Sequence, residues 1–505
     1  MNLTQLAKSL DGELYFDQLL RVIYATDASV YRELPLAVAF PKNNKDLQTL
    51  ILFAKKNKTS LIPRAAGTSL AGQCVGNGIV VDISKHFTKI LDFNKDEQWI
   101  KVQPGVVRDE LNAYLRPHGL FFSPITSTAN RAMIGGMVGN NSSGTTSITY
   151  QTTREHVLEL KTILADGSEA IFHELSKDDF SKKLKLENLE GEVYRQIHQD
   201  LSNSEIKNNI LTHFPKPSIH RRNTGYAVDY LLKSEIFSEG NTPFNFCKLL
   251  CGSEGTLAFT TEIKLNLDPL PLPYDVVVAA HFTSINDSLL ATQVAMQHHP
   301  TACELMDKII LDCTKENVLQ NKNRFFVEGD PQGVLMIEFR GNTLAEAEKK
   351  ANHLIENLKN KNLGYAFPII PPEKTKQVWQ LRSAGLGLLA NIPGDKKAVA
   401  CIEDTAVAID DLPEYIEEFT EMMDGFGQQS VYYAHAGAGE LHLRPILNLK
   451  KSDDVEQFYK ISEASARLVK KYNGSLSGEH GDGRLRAGFI PMMVGEENYK
   501  LFKKI

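Results

Sequence analysis

Pro63-Arg-Ala-Ala-Gly-Thr-Ser-Leu-Ala-Gly72 follows the strand-like Leu61-Ile62 and consists mainly of small residues. Glycines at 67 and 72 let the backbone approach an anion closely, and successive N–H groups can form a nest for phosphate. The stretch is neither a Walker loop nor the dinucleotide fingerprint of a Rossmann unit. Ile134-Gly-Gly-Met-Val-Gly-Asn-Asn-Ser-Ser-Gly144 is a second stretch rich in glycine and asparagine. Asn223-Thr-Gly-Tyr226 and Gly252-Ser-Glu-Gly-Thr-Leu257 add two more small-residue loops. An ordinary turn explains any one of them. Together, in the first part of the chain, they point to a long, phosphate-bearing cofactor laid along the backbone.

Two stretches near the other end belong together. His435-Ala-Gly-Ala-Gly-Glu-Leu-His442 reads as strand, tight turn, strand, flanked by Val431-Tyr-Tyr and Leu441-His-Leu. Taken as a two-residue turn at Ala438-Gly439, it makes 435:442 a cross-strand pair, near enough to share a metal ion. Ser477-Gly-Glu-His-Gly-Asp-Gly483 is the second stretch. A glutamate such as Glu479 completes a His/His/Glu set with an open position, and His480 is left free as an acid or base. The plainer alternative is two buried histidines on a hairpin beside an unrelated glycine turn.

Composition sets the limits. A chain of 505 residues is too long for one ordinary core and implies about two or three domains. Hydrophobic residues at 42% and charged residues at 23% are ordinary for a globular protein. A net charge of −6 argues against nucleic acid as a partner. No apolar run approaches the roughly 18–20 residues of a membrane helix, and the N-terminus lacks a signal-peptide core. A cytoplasmic location is expected, with peripheral association at the inner membrane left open. The cysteines at 74, 247, 251, 303, 313 and 401 form neither a redox pair, a zinc knuckle nor a ferredoxin run, so reduced, buried thiols are expected.

Pro41 to Lys55 has helical periodicity. Strand signals recur at Leu61-Ile-Pro-Arg, Gly78-Ile-Val-Val-Asp-Ile, Trp99-Ile-Lys-Val-Gln and from Val157 to Leu164. Residues 170 to 225 are charged and less patterned, like an insertion. Lys248-Leu-Leu-Cys onward to Leu267 returns to strand character. Pro269-Leu-Pro-Leu-Pro273 is the clearest linker. Beyond it, strands at Asp275–His281 and Gly333–Phe339 alternate with helices at Thr343–Asn360 and Asp411–Met423, an α+β pattern. The helix Asp454–Tyr472 precedes the Glu479-His480 turn.

In that order, Arg64-Ala-Ala-Gly-Thr-Ser, Ile134-Gly-Gly, Asn223-Thr-Gly-Tyr, Gly252-Ser-Glu-Gly-Thr-Leu, His435-x6-His442 and Ser477-Gly-Glu-His-Gly resemble the FAD-linked oxidases. That family has the vanillyl-alcohol oxidase and p-cresol methylhydroxylase flavin fold. Within it the chain is similar to D-lactate, glycolate and D-2-hydroxyglutarate dehydrogenases. The resemblance implies an α+β fold: a two-subdomain FAD-binding domain over 1–272, an α+β substrate or cap domain over 273–430, and the metal-binding hairpin with a C-terminal helical segment over 431–505. It implies flavin contacts at Arg64, Ala65, Ala66, Gly67, Thr68, Ser69 and Gly72, at Gly135, Gly136, Asn141 and Gly144, and at Gly252, Glu254, Gly255 and Thr256. Some members tether FAD through a histidine in the first loop; here Gly67-Thr68-Ser69 has none, so non-covalent FAD is expected. His435, His442 and Glu479 match divalent-metal ligands (zinc or manganese), His480 the catalytic histidine, and Arg382 the arginine clamping the substrate carboxylate.

Three departures qualify the substrate. The usual hairpin reads His-Ala-Gly-Asp-Gly-Asn-Leu-His, whereas Ala438 and Glu440 replace the Asp and Asn. The lysine that 2-hydroxyglutarate enzymes place before a Tyr-Asp pair is Ile402 here, with Lys396 and Lys397 close but out of register. The usual closing segment after the Glu-His turn is absent, as in the front part of a fusion with iron–sulfur modules. The expected activity is oxidation of a D-2-hydroxy acid to the 2-oxo acid by hydride transfer to flavin N5. D-lactate ranks slightly ahead of D-2-hydroxyglutarate because of Ile402. No nicotinamide fingerprint appears, so the expected electron acceptor is a quinone, an electron-transfer flavoprotein or a fused iron–sulfur module. The rivals are a zinc hydrolase, a non-redox FAD transferase and a cofactor-binding fragment without turnover.

Overall fold

The computed structural model describes residues 2–315, 317–389 and 392–505. Its core is organised by three sheets. The first is four-stranded, in the order Glu13–Tyr15, Ala37–Phe40, Ile79–Asp82, Leu61–Arg64. Ala37–Phe40 and Leu61–Arg64 both run parallel to Ile79–Asp82, which is buried at every position. The helix Asn44–Asn57, capped by Asn43, buries Leu47, Leu50 and Ala54 on one face. The nest-like loop starts where Leu61–Arg64 ends.

The second sheet is six-stranded and antiparallel, with Phe259–Asn266 between Val157–Ile163 and Trp99–Val102. Phe259–Asn266 alternates buried and half-buried residues along its length, the signature of a one-sided sheet. The stretch read as an unpatterned insertion is well ordered: the strand Glu169–Leu175 and the helices Lys177–Lys183, Leu189–Ser202 and Ser204–His213. Phe180, Tyr194, Phe244 and Phe246 stack edge-on there to form a buried aromatic cluster. Charged residues on the solvent side of these helices hid that period. Lys248-Leu-Leu-Cys, read as strand, lies instead at the helical turn Cys247–Leu250.

The third sheet has eight strands. Its order is Ile369–Ile370, Tyr274–Phe282, Gly333–Gly341, Ala302–Asp307, Ser430–Ala434, Glu440–Leu447, Lys397–Ala398, with Glu403–Ala406 also paired to Glu440–Leu447. Tyr274–Phe282 is buried on both faces: Val276, Val278 and Ala280 join one core, Val277 and Ala279 the other. The helices Ile285–Met296 and Leu344–Asn360 cover the first face, and Pro372–Leu389 lies over the second. The hairpin strands after residue 430 continue this sheet, so the sheet crosses the boundary expected there. All six cysteines are free. Among the described residues no helix is long and apolar enough to cross a membrane.

Candidate active site

A cavity of about 610 Å³ lies between the first two sheets and the third. Residues from 63–74, 125–145 and 250–260 line one side; Arg382, Tyr433, His435, His442, Arg444, Glu479 and His480 line the other. The loop turns at Gly67, whose φ of +65° lies in the left-handed region that favours glycine. At Gly135 a Cβ would stand 2.4 Å from Pro104 Cβ, so the helix Ile134–Asn140 sits directly on the strand end before it. A long phosphate-bearing ligand fits this wall of small residues and exposed backbone.

Of the residues that the family resemblance offers as flavin contacts, Arg64, Ala65, Ala66, Gly67, Thr68, Ser69, Gly135, Gly136, Gly144, Glu254 and Gly255 line the cavity. Gly72, Asn141, Gly252 and Thr256 stand behind the lining. Asn141 is fully buried; its Oδ1 accepts from Thr152 Oγ1 and Arg154 N at 2.8 Å, so it braces the wall. Glu254 Oε1 accepts from Asp482 N at 2.6 Å and clamps the glycine turn that carries Glu479 and His480.

That turn is held from several directions. Asp404 Oδ2 accepts from the backbone N–H of Glu479 and of His480, both at 2.6 Å. Asn140 Nδ2 donates to Glu479 O at 2.7 Å, and Gln73 Nε2 to His480 O at 2.6 Å. Asn223 Nδ2 adds a bond to Glu479 O at 3.0 Å. Gln73, Asn140 and Asn223 come from the glycine loops, so the cradle and the turn are one construction.

The hairpin differs from the expected register. Tyr433, not His435, pairs with His442, and Ala436–Ala438 is a 3-10 turn closed by left-handed Gly439. Ala434 adopts φ +90°, which ends the strand and swings His435 back toward its neighbour. The rings of His435 and His442 still lie 5.3 Å apart. His442 and His480 stack at 4.9 Å and 14°.

Three imidazole nitrogens converge on one oxygen. Glu479 Oε1 lies 3.3 Å from His435 Nε2, 3.6 Å from His442 Nε2 and 3.4 Å from His480 Nε2. Donors at about 2.0–2.2 Å from a tetrahedral ion stand about 3.4 Å apart, so the set fits a divalent metal. His435, Glu440, His442 and Glu479 form one possible ligand group, and Glu403, His442 and His480 another.

Arginines balance the surrounding carboxylates. Glu304 takes Arg382 Nε at 2.7 Å, Glu403 faces Arg444 at 2.7 Å, Asp404 takes Arg486 at 2.6 Å, and Glu440 takes Arg221 at 2.9 Å. Glu479 shares Arg221 at 3.5 Å and has no arginine of its own. Burial would raise the Glu304 carboxyl, but Arg382 and His435 bring it down to about 2. Burial and the His480 charge push His442 well below its ordinary value, leaving a neutral imidazole suited to a metal. His480 moves well upward despite its burial, because Asp404, Glu403 and Glu479 face it.

Arg382 is buried at the cavity and spends three donors internally: Nε and Nη2 on Glu304 Oε2, and Nη1 on Tyr433 Oη at 2.7 Å. Lys396 and Lys397 stand outside the cavity lining, and Lys397 Nζ donates to Ile392 O at 2.5 Å. Sequence reasoning did not single out Glu304, Glu403, Arg221 or Arg444. Arg444 was within reach, because it alternates with His442 and the already noted Glu440 along the strand Glu440–Leu447 and so shares their face.

Solved flavoenzymes share this architecture. The chain matches p-cresol methylhydroxylase with a TM-score of 0.68 at 11% identity, over 99% of this chain and 93% of that one. It matches 4-ethylphenol oxidase from Gulosibacter chungangensis with a TM-score of 0.66 at 12% identity, over the same shares. The fold is therefore the vanillyl-alcohol oxidase/p-cresol methylhydroxylase type. The FAD binding domain family matches residues 35–171, and the FAD linked oxidases, C-terminal domain family matches residues 272–505. The chain belongs to the FAD-linked oxidases. It is 36% identical to D-2-hydroxyglutarate dehydrogenase of Pseudomonas putida and 31% identical to that of Escherichia coli, each over 96% of this chain and 48% of the relative. It is 22% identical to glycolate oxidase subunit GlcD of Bacillus subtilis, over 96% of this chain and 89% of that one. The chain thus spans about half the length of the dehydrogenases it matches at 31–36% identity.

Proposed function

We propose that this chain is the flavin-bearing part of an FAD-dependent 2-hydroxy acid dehydrogenase whose substrate is D-2-hydroxyglutarate. The observation that carries the reading is the clamped turn: Gln73, Asn140 and Asn223 from the cofactor loops fix Glu479 and His480 at the junction of cradle and histidine cluster. The order drawn from Ile402, with D-lactate ahead, is reversed here. The relatives at 31–36% identity are named as D-2-hydroxyglutarate dehydrogenases, and Ile402 is a fully buried core residue outside the cavity lining.

Bound FAD supplies the hydride acceptor, and a divalent ion held by His435, His442 and Glu479 supplies Lewis acidity. The chain's own residues do the rest. Beside a cation at the cluster, His480 would give up the proton that Asp404, Glu403 and Glu479 otherwise hold on it. Its Nε2, the nitrogen turned to the cluster, is then free to receive the hydroxyl proton, while Glu403 Oε2 stands 3.0 Å from its Nδ1. Arg382, fixed by Glu304 and Tyr433, presents its cavity edge to the α-carboxylate and sets which face of the substrate meets the flavin. The electron acceptor is a quinone, an electron-transfer flavoprotein or an iron–sulfur module.

Anaerobic bleaching of the flavin by D-2-hydroxyglutarate, D-lactate and their L-forms tests the reading. Faster bleaching by D-2-hydroxyglutarate is expected. Faster bleaching by D-lactate restores the earlier order, and preference for an L-acid removes the assignment.

A further inference from the structure

We infer that Arg444 is the receptor for a second carboxylate on the substrate, and so the residue that separates a dicarboxylic 2-hydroxy acid from a short monocarboxylic one. The inference rests on the 2-hydroxy acid reading above and assigns its distal subsite.

Arg444 is buried yet lines the cavity on the side of the histidine cluster. It follows His442 by two positions on the strand Glu440–Leu447, so both side chains leave the same face, about 7 Å apart along the strand. Across the hairpin, His442 pairs with Tyr433, and the Tyr433 hydroxyl holds Arg382. The two arginines thus stand at successive points along one wall. A substrate with its α-carboxylate at Arg382 and its hydroxyl at the cluster would carry its chain toward Arg444.

The hydrogen bonding of Arg444 sets it apart from its neighbours. Arg382 spends three donors on Glu304 and Tyr433. Arg221 is spent on Ser147 Oγ, Gly144 O and Glu440. Arg444 Nε is buried with no hydrogen-bond partner, and its one ionic neighbour is Glu403, whose Oε1 lies 2.7 Å from Nη2 but also lacks an aligned bond. A guanidinium whose Nε is buried without a partner and whose one close carboxylate is unaligned is a costly arrangement that an entering carboxylate would relieve. Glu403 balances the charge of Arg444 while the subsite is empty. Neither Lys396 nor Lys397 reaches the lining, so no lysine competes for the role.

The test is substrate discrimination in anaerobic flavin reduction by the FAD- and metal-loaded protein. D-2-hydroxyglutarate, its C5 monoamide and D-lactate are compared on the wild type, Arg444→Met and Arg444→Lys. The ratio of kcat/KM for D-2-hydroxyglutarate over D-lactate should fall about 10–100-fold in Arg444→Met, the range for a lost charge-assisted bond. Arg444→Lys, which keeps the charge opposite Glu403, should recover part of that ratio. The monoamide should lose most of its disadvantage in Arg444→Met. A methionine here also leaves Glu403 unpaired beside His480, which slows every substrate alike, so the ratio carries the result. The double variant Glu403→Gln/Arg444→Met should lift that shared loss and leave the ratio low. If Arg444→Met slows both acids in equal proportion, Arg444 serves only to neutralise Glu403 and the inference is overturned alone. If the wild type is bleached by D-lactate and not by D-2-hydroxyglutarate, the substrate reading fails and takes this inference with it.

Discussion

Replacing Glu479 with glutamine tests the proposed metal site apart from every other role of the turn. The substitution keeps the shape of the side chain and both backbone bonds to Asp404, and it removes one negative charge from the point where three imidazole nitrogens converge. Glu304, Glu403 and Asp404 each face an arginine of their own, whereas Glu440 and Glu479 share Arg221, so Glu479, the one of the two at the point where the imidazoles converge, contributes uncompensated charge available to a dication. Losing an outer partner of a metal site costs about 10–100-fold in affinity, and a direct ligand should cost at least about 100-fold, or about 2.7 kcal/mol. The assay is dialysis against a graded chelator series with elemental analysis, using flavin absorbance to confirm that the cradle is intact. Glu479→Gln should lose its metal at a chelator strength that wild type withstands, keep FAD and fail to bleach. His480→Ala should keep both FAD and metal while flavin reduction slows about 10²–10⁴-fold, the range for general acid–base help. Retention of metal by Glu479→Gln, with its loss from His480→Ala, would refute the division of roles. His480 Nε2 would then be the ligand and Glu479 its balancing charge.

Three further outcomes are expected. Acid precipitation should release all flavin into the supernatant, since the only histidines lining the cavity among the described residues are those of the cluster; yellow colour in the pellet would show a tether. Gly135→Ala should force the helix Ile134–Asn140 off Pro104, costing about 1–3 kcal/mol in stability with a lower flavin-to-protein ratio, read by thermal melting and absorbance. Tyr433→Phe removes the hydroxyl that takes Arg382 Nη1 at 2.7 Å and donates to Arg382 O at 2.6 Å. It should weaken substrate binding in stopped-flow titrations by about 10-fold or more while leaving metal content unchanged.

Much of the site was legible because its chemistry is concentrated in short runs. The helix Leu344–Asn360 was readable from its stripe of Ala347, Ala351, Leu354, Ile355 and Leu358 and its cap at Thr343, where local pattern and tertiary packing agree. The small-residue loops that line the cavity were readable because small residues following a strand leave few other uses for the backbone. The hairpin register was misread for a specific reason. A two-residue turn would keep 435 and 442 opposite each other, but Ala434 takes a positive φ that alanine rarely adopts, and nothing in the local pattern announces it.

The carboxylates around the cluster were the harder part. Glu304 lies 131 positions from His435 in sequence, on a strand whose every residue is buried. In such a strand a glutamate among apolar residues has no local partner to reveal its use. Only the pairing of Ala302–Asp307 with Ser430–Ala434, at Leu305 opposite Ala434, brings Glu304 to His435. The same strand order puts Glu403–Ala406 against Glu440–Leu447, with Glu403 opposite Leu443 and Asp404 opposite His442. Two strands flanking the hairpin thus deliver the carboxylates that hold His435, His480 and the 479–480 turn. The motifs name the histidines and the glutamate of the cluster, and sheet order, which no local pattern encodes, chooses the charges around them. That is why a departure such as Glu440 or Ile402 has to be judged by what lies on the neighbouring strand and not by its own sequence window.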